Sequence, residues 1–196
     1  MPRSPPRSPR RPGSVAAAMI TNLRLDTRRL REIKSKSFPW FVLESLLFEN
    51  GYQAVVFHRV AHWFKVRRVP VIGPLVARCS LLLTGVDIAP GAVIGPGLRI
   101  SHGMGIVIGD RVRIGGGALL MHDVTLGAPS QGRIGEMPVL GERVTVGAGA
   151  RIIGRVTIGD DVLIPVNAVV TRDVPAGARV VWKGELAIEP AEGDGG

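Results

Sequence analysis

Cysteine and aromatic residues are scarce in this sequence. Among 196 residues there is one cysteine, Cys79, and 5% of the residues are aromatic. A single cysteine excludes a disulfide framework and a zinc site built from several cysteines. Cys79 lies in the apolar run 75–83, where we expect a buried thiol. Because 45% of the residues are nonetheless hydrophobic, the core must consist mainly of Val, Ile, Leu and Ala.

Apolar stretches long enough to cross a membrane are also missing. The best candidate, 75–86, contains Arg78 and falls short of the roughly 18 apolar residues that indicate a spanning helix. The pair Arg10–Arg11 precedes an apolar stretch that is too short for an export signal. We therefore expect a cytoplasmic protein without a membrane span.

Acidic residues are absent before Asp26, whereas the net charge of the chain is +9. The segment 1–18 is rich in Pro, Arg and Ser and is predicted to be a disordered basic tail, with Met19 as an alternative start. A nucleic-acid-binding protein would carry a basic face with interleaved aromatic side chains or a known motif. Neither is present, so we expect no nucleic acid partner. The acidic segment 183–196 is predicted to be a flexible tail.

Residues 19–84 have the apolar spacing of helices. The segments 38–48 and 52–66 are apolar at i, i+3 and i+4, and a further segment is predicted to end near 84–85. His58 and His62 lie four residues apart in this region. Because no third ligand accompanies them, we expect structural packing and no metal site.

From Ile88 onward the apolar residues recur with a period of six, which is neither the helix period nor the strand period. The fourth residue after each is again small or apolar. Such hexapeptide repeats predict a parallel β-helix, here over 85–182, in which short strands form the faces of a prism and Gly, Asn or Asp form its corners. The segment 127–139 is too polar for a coil and is predicted to be a projecting loop. The predicted inward residues are Ile88, Ile94, Ile100, Ile108, Ile114, Leu120, Leu126, Leu140, Val146, Ile152, Ile158, Ile164 and Val170.

Four motifs make this chain resemble a known family. They are YQAVVFHRVAHWF (52–64), GVDIAPGAVIGPGLRISHGMGIVIGD (85–110), DVTLG (123–127) and VGAGARIIGRVTIGD (146–160). The chain resembles the hexapeptide-repeat acyltransferases, and most closely the serine O-acetyltransferase group. The resemblance implies a mainly β fold, a left-handed parallel β-helix with an N-terminal α-helical segment, assembled as a homotrimer or hexamer. It also implies acetyl-CoA as donor, a small molecule with a hydroxyl as acceptor, and active sites between neighbouring prisms.

The resemblance implies that His102 is the catalytic base and that Asp87 is its partner. An imidazole can take the proton of an attacking hydroxyl, and a carboxylate on its other nitrogen fixes the tautomer. Fifteen residues are just under one three-sided coil, so the spacing predicts that the two side chains meet. The resemblance further implies oxyanion donors near Gly127 and Ala128 and a pantetheine arm beside Ala148.

Charged residues that hold serine in the family are substituted here. Ser101 stands in place of an Asp, Glu136 and Met137 in place of an Arg-His pair, and Lys36 in place of an Asp. Loss of charged partners weakens binding of an amino acid. The sequence therefore favours a sugar or polysaccharide precursor as acceptor and leaves L-serine as the alternative. A non-catalytic scaffold is a further alternative, which the catalytic pair disfavours. His122 lies outside the inward series and is expected at the surface or in a groove.

Overall fold

The computed structural model describes residues 13–34 and 40–181. Within these ranges the chain begins with four helices: α1 (Gly13–Lys34), α2 (Trp40–Phe48), α3 (Asn50–Val66) and α4 (Ile72–Thr84). Helix α1 begins inside the segment 1–18 that is predicted to be disordered, so residues 13–18 of that segment are helical. Residues 1–12 and the predicted C-terminal tail, 183–196, lie outside the described residues. Helices α2 to α4 occupy the segments in which the apolar spacing predicts them.

Helix α4 buries its small residues. Gly73, Ala77, Ser80 and Thr84 form the buried face, and a Cβ atom at Gly73 would lie 3.0 Å from the Ala61 carbonyl oxygen of α3. Four larger apolar side chains of α4 are exposed instead, namely those of Ile72, Leu75, Leu82 and Leu83. Cys79 is exposed as well, so the expected buried thiol is wrong. An apolar run does not specify which of its faces packs, and here the close approach of α3 selects the small residues.

Thirteen short strands follow the helices in the described part of the chain and form three parallel sheets. Consecutive strands belong to consecutive sheets, in the orders β1-β4-β7-β10-β13, β2-β5-β8-β11 and β3-β6-β9-β12, so the chain winds around a three-sided prism. This arrangement confirms the parallel β-helix with an N-terminal helical segment. The strands are β1 (Asp87–Ile88), β2 (Val93–Ile94), β3 (Arg99–Ile100), β4 (Val107–Ile108), β5 (Arg113–Ile114), β6 (Leu119–Leu120), β7 (Thr125–Gly127), β8 (Val139–Leu140), β9 (Thr145–Val146), β10 (Arg151–Ile153), β11 (Thr157–Ile158), β12 (Leu163–Ile164) and β13 (Val169–Val170).

The aliphatic residues of the period-six series fill the interior of the prism. All thirteen predicted inward residues are buried, and parallel pairing stacks them on one another, as in the column Ile88–Ile108–Leu126–Ile152–Val170. Each buried aliphatic side chain contributes about 1.5–3 kcal/mol relative to an exposed one. The repeat therefore supplies the core of the fold, with each coil covering the one before it.

A buried ion pair joins the helices to the first coil. The Arg59 guanidinium donates to both carboxylate oxygens of Asp26, at 3.0 and 3.2 Å, and to the Gly95 carbonyl oxygen at 2.7 Å. The Asp26 carboxylate in turn accepts the Gly97 N–H at 2.6 Å. Every polar atom named here has a partner, which a buried charge pair requires. The network fixes α1 and α3 over the corner between β2 and β3.

Two irregularities interrupt the winding of the prism. The corner 101–106, between β3 and β4, is two residues longer than the next corner on the same edge, 121–124. The second irregularity is the loop 128–138 between β7 and β8, which contains a short 3-10 turn at Gln131–Arg133 and agrees closely with the predicted loop. No helix in the described ranges is long and apolar enough to cross a membrane.

Candidate active site

His102 lies in the long corner between β3 and β4. The Gly105 N–H donates to the Gly85 carbonyl oxygen at 2.9 Å, and the Asp87 N–H donates to the Ile106 carbonyl oxygen at 2.9 Å. These two hydrogen bonds hold the corner against the start of the first coil. The irregularity of the repeat therefore brings the segments that carry His102 and Asp87 together.

The backbone of His102 adopts a left-handed conformation, with φ +65°. Parallel pairing places His122, Ala148 and Val166 at the same corner position of the following coils, and none of these three has a positive φ. A left-handed residue other than glycine costs roughly 1–2 kcal/mol. The His102 side chain is exposed. The corner thus presents an imidazole to solvent at a conformational cost.

Asp87 is half-buried at the start of β1, next to the backbone of the same corner. Across the described ranges, no hydrogen bond or ion pair joins the Asp87 carboxylate to the His102 imidazole. The spacing predicts that the two side chains meet. The structure places them on adjacent coils at the same edge of the prism, and the direct contact is not formed in this conformation.

A second imidazole accompanies His102. The rings of His102 and His122 lie edge to face, with their centroids 6.2 Å apart and an interplanar angle of 76°. His122 is exposed, as the sequence predicts, but its contact with His102 is an addition to that prediction. The register between β3 and β6 could have predicted this contact, because it places His122 at the position of His102 one coil later.

Ala148 follows His122 along the same edge of the prism. It is half-buried, and its carbonyl oxygen accepts the Asn167 N–H at 2.8 Å. Gly127 is instead the last residue of β7 and Ala128 follows it, so both lie across the same face of the prism. A Cβ atom at Gly127 would meet nothing within 4 Å, so the backbone there is open to a ligand. Within one chain, the two predicted acetyl-CoA positions are on opposite edges of one face.

The loop 128–138 carries Glu136 and Met137. Glu136 forms a two-point ion pair with Arg133, at 3.0 and 2.7 Å, and the Arg133 hydrogen bond lowers the pKa of the Glu136 carboxyl. Met137 packs against the core, and its Sδ atom would lie 3.1 Å from a Cβ atom at Gly109. The Glu136 side chain is thus paired, and the Met137 side chain is packed, with residues of the same chain.

The substituted positions of the family's serine clamp are not brought together in one chain. Ser101 is half-buried beside His102, whereas Glu136 and Met137 lie at the edge beyond β4 and β7. Lys36 lies outside the described residues.

A cleft of about 460 Å³ opens at Ser101 and His102. Its floor is β3 with Arg99, one wall is the start of α3 with Glu49, and side chains of α1 and α2 complete it. The sequence alone does not single out Arg99 or Glu49. Their proximity depends on how α3 docks onto β3, which no local pattern encodes.

The remaining histidines pack between α3 and the prism. His58 is buried, and neither of its ring nitrogens has a hydrogen-bond partner among the described residues. The His62 Nδ1 atom lies 2.9 Å from the Pro90 carbonyl oxygen. In the described ranges, no group of three or more His, Cys, Asp or Glu side chains is arranged to hold a metal ion.

Similarity to known proteins covers both the helical segment and the prism. The family model for the bacterial transferase hexapeptide (six repeats) matches residues 137–172. A serine acetyltransferase from Helicobacter pylori is 44% identical over 154 residues, which are 79% of this chain and 88% of the relative. A serine acetyltransferase from Synechococcus elongatus is 43% identical over 157 residues, 76% of this chain, and the match spans 64% of that longer relative.

Solved structures resemble the fold as well. The apoenzyme of soybean serine acetyltransferase superimposes with a TM-score of 0.79 at 30% sequence identity. The match covers 87% of this chain and 69% of the soybean chain. The likeness confirms the left-handed β-helix with its preceding helices.

Proposed function

The chain belongs to the serine acetyltransferase family of acyltransferase enzymes, and we propose that it transfers the acetyl group of acetyl-CoA to the hydroxyl of L-serine. The products are O-acetyl-L-serine and CoA. The observation that carries this proposal is the identity of 43 and 44% to serine acetyltransferases over 76 and 79% of this chain.

The acceptor preference drawn from the sequence is corrected. The substituted clamp favoured a sugar, but the relatives matched at 43 and 44% identity are serine acetyltransferases. The comparisons give the sugar preference no support, and the serine alternative fits them better.

His102 is the proposed general base. Its imidazole takes the proton of the serine hydroxyl as that oxygen attacks the thioester carbonyl carbon. The tetrahedral intermediate then collapses, the C–S bond breaks, and the imidazolium returns the proton to the CoA sulfur. The His102 side chain is exposed and lines the cleft, which supports this role because both substrates must reach the ring.

Asp87 is the proposed orienting carboxylate. Its backbone is tied to the corner that carries His102, which keeps the carboxylate on the same edge of the prism as the ring. Catalytic hydrogen bonds are often long in substrate-free enzymes and tighten in the complex. Asp87 then fixes the imidazole tautomer and stabilises the imidazolium.

Acetyl-CoA is proposed to lie between two copies of the chain. One edge of the prism carries the proposed base, His102, together with Ala148. The opposite edge carries the backbone of Gly127 and Ala128, whose N–H groups suit an oxyanion. The two edges are separated by a face of the prism, so a neighbouring copy is needed to bring them together. We therefore propose a homotrimer that shares its sites between copies.

The proposal is tested by supplying acetyl-CoA and candidate acceptors to the purified full chain. Release of CoA is followed with a thiol reagent, with L-serine and with a panel of sugars and amino sugars. We expect release with L-serine, matched by O-acetyl-L-serine in the mass spectrum. Release with sugars alone, or with no acceptor, would overturn the proposed function.

A further inference from the structure

We propose that Arg99 and Glu49 hold the carboxylate and the ammonium group of the acceptor amino acid in the cleft beside His102. The inference rests on the proposed function and concerns its specificity. It assigns the recognition of serine to two residues of the cleft in place of the substituted charges at positions 36, 101, 136 and 137.

Arg99 is suited to a carboxylate. It is the outward residue of β3, half-buried, and separated from Ser101 by the inward residue Ile100. Over the described residues, its guanidinium has no hydrogen bond or ion pair with any side chain or carbonyl group. A guanidinium presents paired N–H donors that match the two oxygens of a carboxylate, and partial burial strengthens such a pair. Arg99 therefore supplies the cation that position 136, a glutamate here, does not.

Glu49 supplies the opposite charge. It lies at the N-cap position of α3, half-buried, and lines the same cleft as Arg99 and His102. Both Glu49 and Arg99 also line a small neighbouring pocket of about 20 Å³, which places them near each other. A carboxylate accepts the charged hydrogen bonds of an ammonium group.

The position of Glu49 is fixed by the docking of α3. A Cβ atom at Gly51 would lie 2.2 Å from the Ile100 carbonyl oxygen, so only glycine permits this approach of the helix to β3. The α3 wall is therefore held against the β3 floor, and the Glu49 backbone is held with it. The two charges face one cleft because of this contact.

The size and polarity of the cleft fit a small amino acid. In serine the hydroxyl is one carbon from the Cα atom that carries both charged groups, so one base and two opposite charges that line a single cleft match its three functional groups. The cleft volume of about 460 Å³ exceeds what serine needs. Leu30 and Phe48 supply the apolar lining. A neutral sugar carries no charged group that Arg99 or Glu49 could bind.

The test combines two variants with acceptors that lack one charge. Arg99→Gln and Glu49→Gln are assayed with L-serine, with L-serine methyl ester, which lacks the carboxylate, and with 3-hydroxypropionate, which lacks the ammonium group. Arg113→Gln is the matched control, because Arg113 is the outward residue of β5, followed by an inward isoleucine as in β3, and faces another sheet. Arg99→Lys keeps the positive charge, so any loss of activity in this variant comes from the changed shape and packing of the side chain.

We expect kcat/KM for L-serine to fall roughly 10- to 100-fold in Arg99→Gln, with KM for acetyl-CoA unchanged. The wild type is expected to prefer L-serine to its methyl ester, and Arg99→Gln to lose that preference. Glu49→Gln should lose the preference over 3-hydroxypropionate instead. Arg113→Gln should match the wild type, and Arg99→Lys should lie between wild type and Arg99→Gln.

The outcomes separate the inference from the function on which it rests. A wild type that acetylates L-serine, together with an Arg99→Gln variant that keeps its preference over the methyl ester, would overturn the inference alone. A wild type without turnover of L-serine would overturn the proposed function, and the inference with it. The acceptor preference is an internal ratio, so a partly folded variant still gives a valid result.

Discussion

The rings of His102 and His122 meet edge to face with their centroids 6.2 Å apart, on successive coils of one edge of the prism. Edge-to-face ring pairs contribute about 0.5–1.5 kcal/mol beyond burial. His122 is therefore expected to position the His102 ring. His122→Ala should lower kcat roughly 2- to 10-fold without changing Tm.

His122→Phe is the conservative variant for this experiment, because it keeps an aromatic edge and removes both ring nitrogens. We expect it to restore kcat to near the wild-type value. Equal losses in both variants would mean that a nitrogen of His122, rather than its ring contact, matters for turnover.

Gly51 is expected to be irreplaceable although it lies in the first turn of a helix. Alanine favours helix formation by about 1 kcal/mol over glycine, so propensity alone predicts stabilisation. The clash with the Ile100 carbonyl oxygen predicts the opposite, a loss of roughly 1–3 kcal/mol in the free energy of unfolding of Gly51→Ala. Chemical denaturation measures this difference. The control is Gly132→Ala, where a Cβ atom would meet nothing within 4 Å; a Gly51→Ala variant as stable as this control would contradict the described docking of α3.

The buried pair of Asp26 and Arg59 is expected to dominate the attachment of the helices. Asp26→Asn leaves a buried guanidinium without its counter-charge, which costs about 3–5 kcal/mol of unfolding free energy. The exposed pair of Arg143 and Asp161 provides the comparison, since screening by water makes such pairs weak. Asp161→Asn should barely change Tm. Similar Tm shifts in the two variants would contradict the burial assigned to Asp26.

His58 is expected to make the fold sensitive to acid. Burial, with smaller contributions from Arg59 and His62, lowers the pKa of His58 from 6.5 to about 3. Between these values the unfolded chain binds a proton that the folded chain does not, so stability falls as the pH falls from 6.5 toward 3. The slope from this one group is at most about 1.4 kcal/mol per pH unit.

The variant His58→Phe isolates this contribution. It also removes two ring nitrogens that lack hydrogen-bond partners among the described residues. Unfolding free energies measured from pH 7 to pH 4 should decline less steeply in His58→Phe than in the wild type. Parallel curves for the two proteins would show that His58 is not buried in its neutral form.

The sequence predicts the prism well because each coil is specified locally. The six-residue period predicts thirteen inward side chains, from Ile88 to Val170, and the structure buries all of them. Ile100 and Ile108 are eight residues apart instead of six, and this longer spacing also marks the long corner that carries His102. Each repeat specifies the geometry of its own part of the coil, so a change in the spacing of the apolar residues predicts where the coil is irregular.

Features that depend on docking between distant segments could not be predicted. The exposure of Cys79 follows from the choice of the small face of α4 for packing, and apolarity alone does not make that choice. The cleft with Glu49 and Arg99 arises from the contact of α3 with β3, across a separation that no motif spans. The contact of His102 with His122 could have been found by aligning successive coils.

The central claim, that His102 is the base in acetyl transfer, is tested most directly by His102→Asn. Asparagine tolerates the left-handed backbone of this corner, so the variant removes the imidazole without adding strain. With acetyl-CoA and L-serine both saturating, we predict that kcat falls about 10²- to 10⁴-fold while Tm stays unchanged. A kcat within tenfold of the wild type would contradict the account.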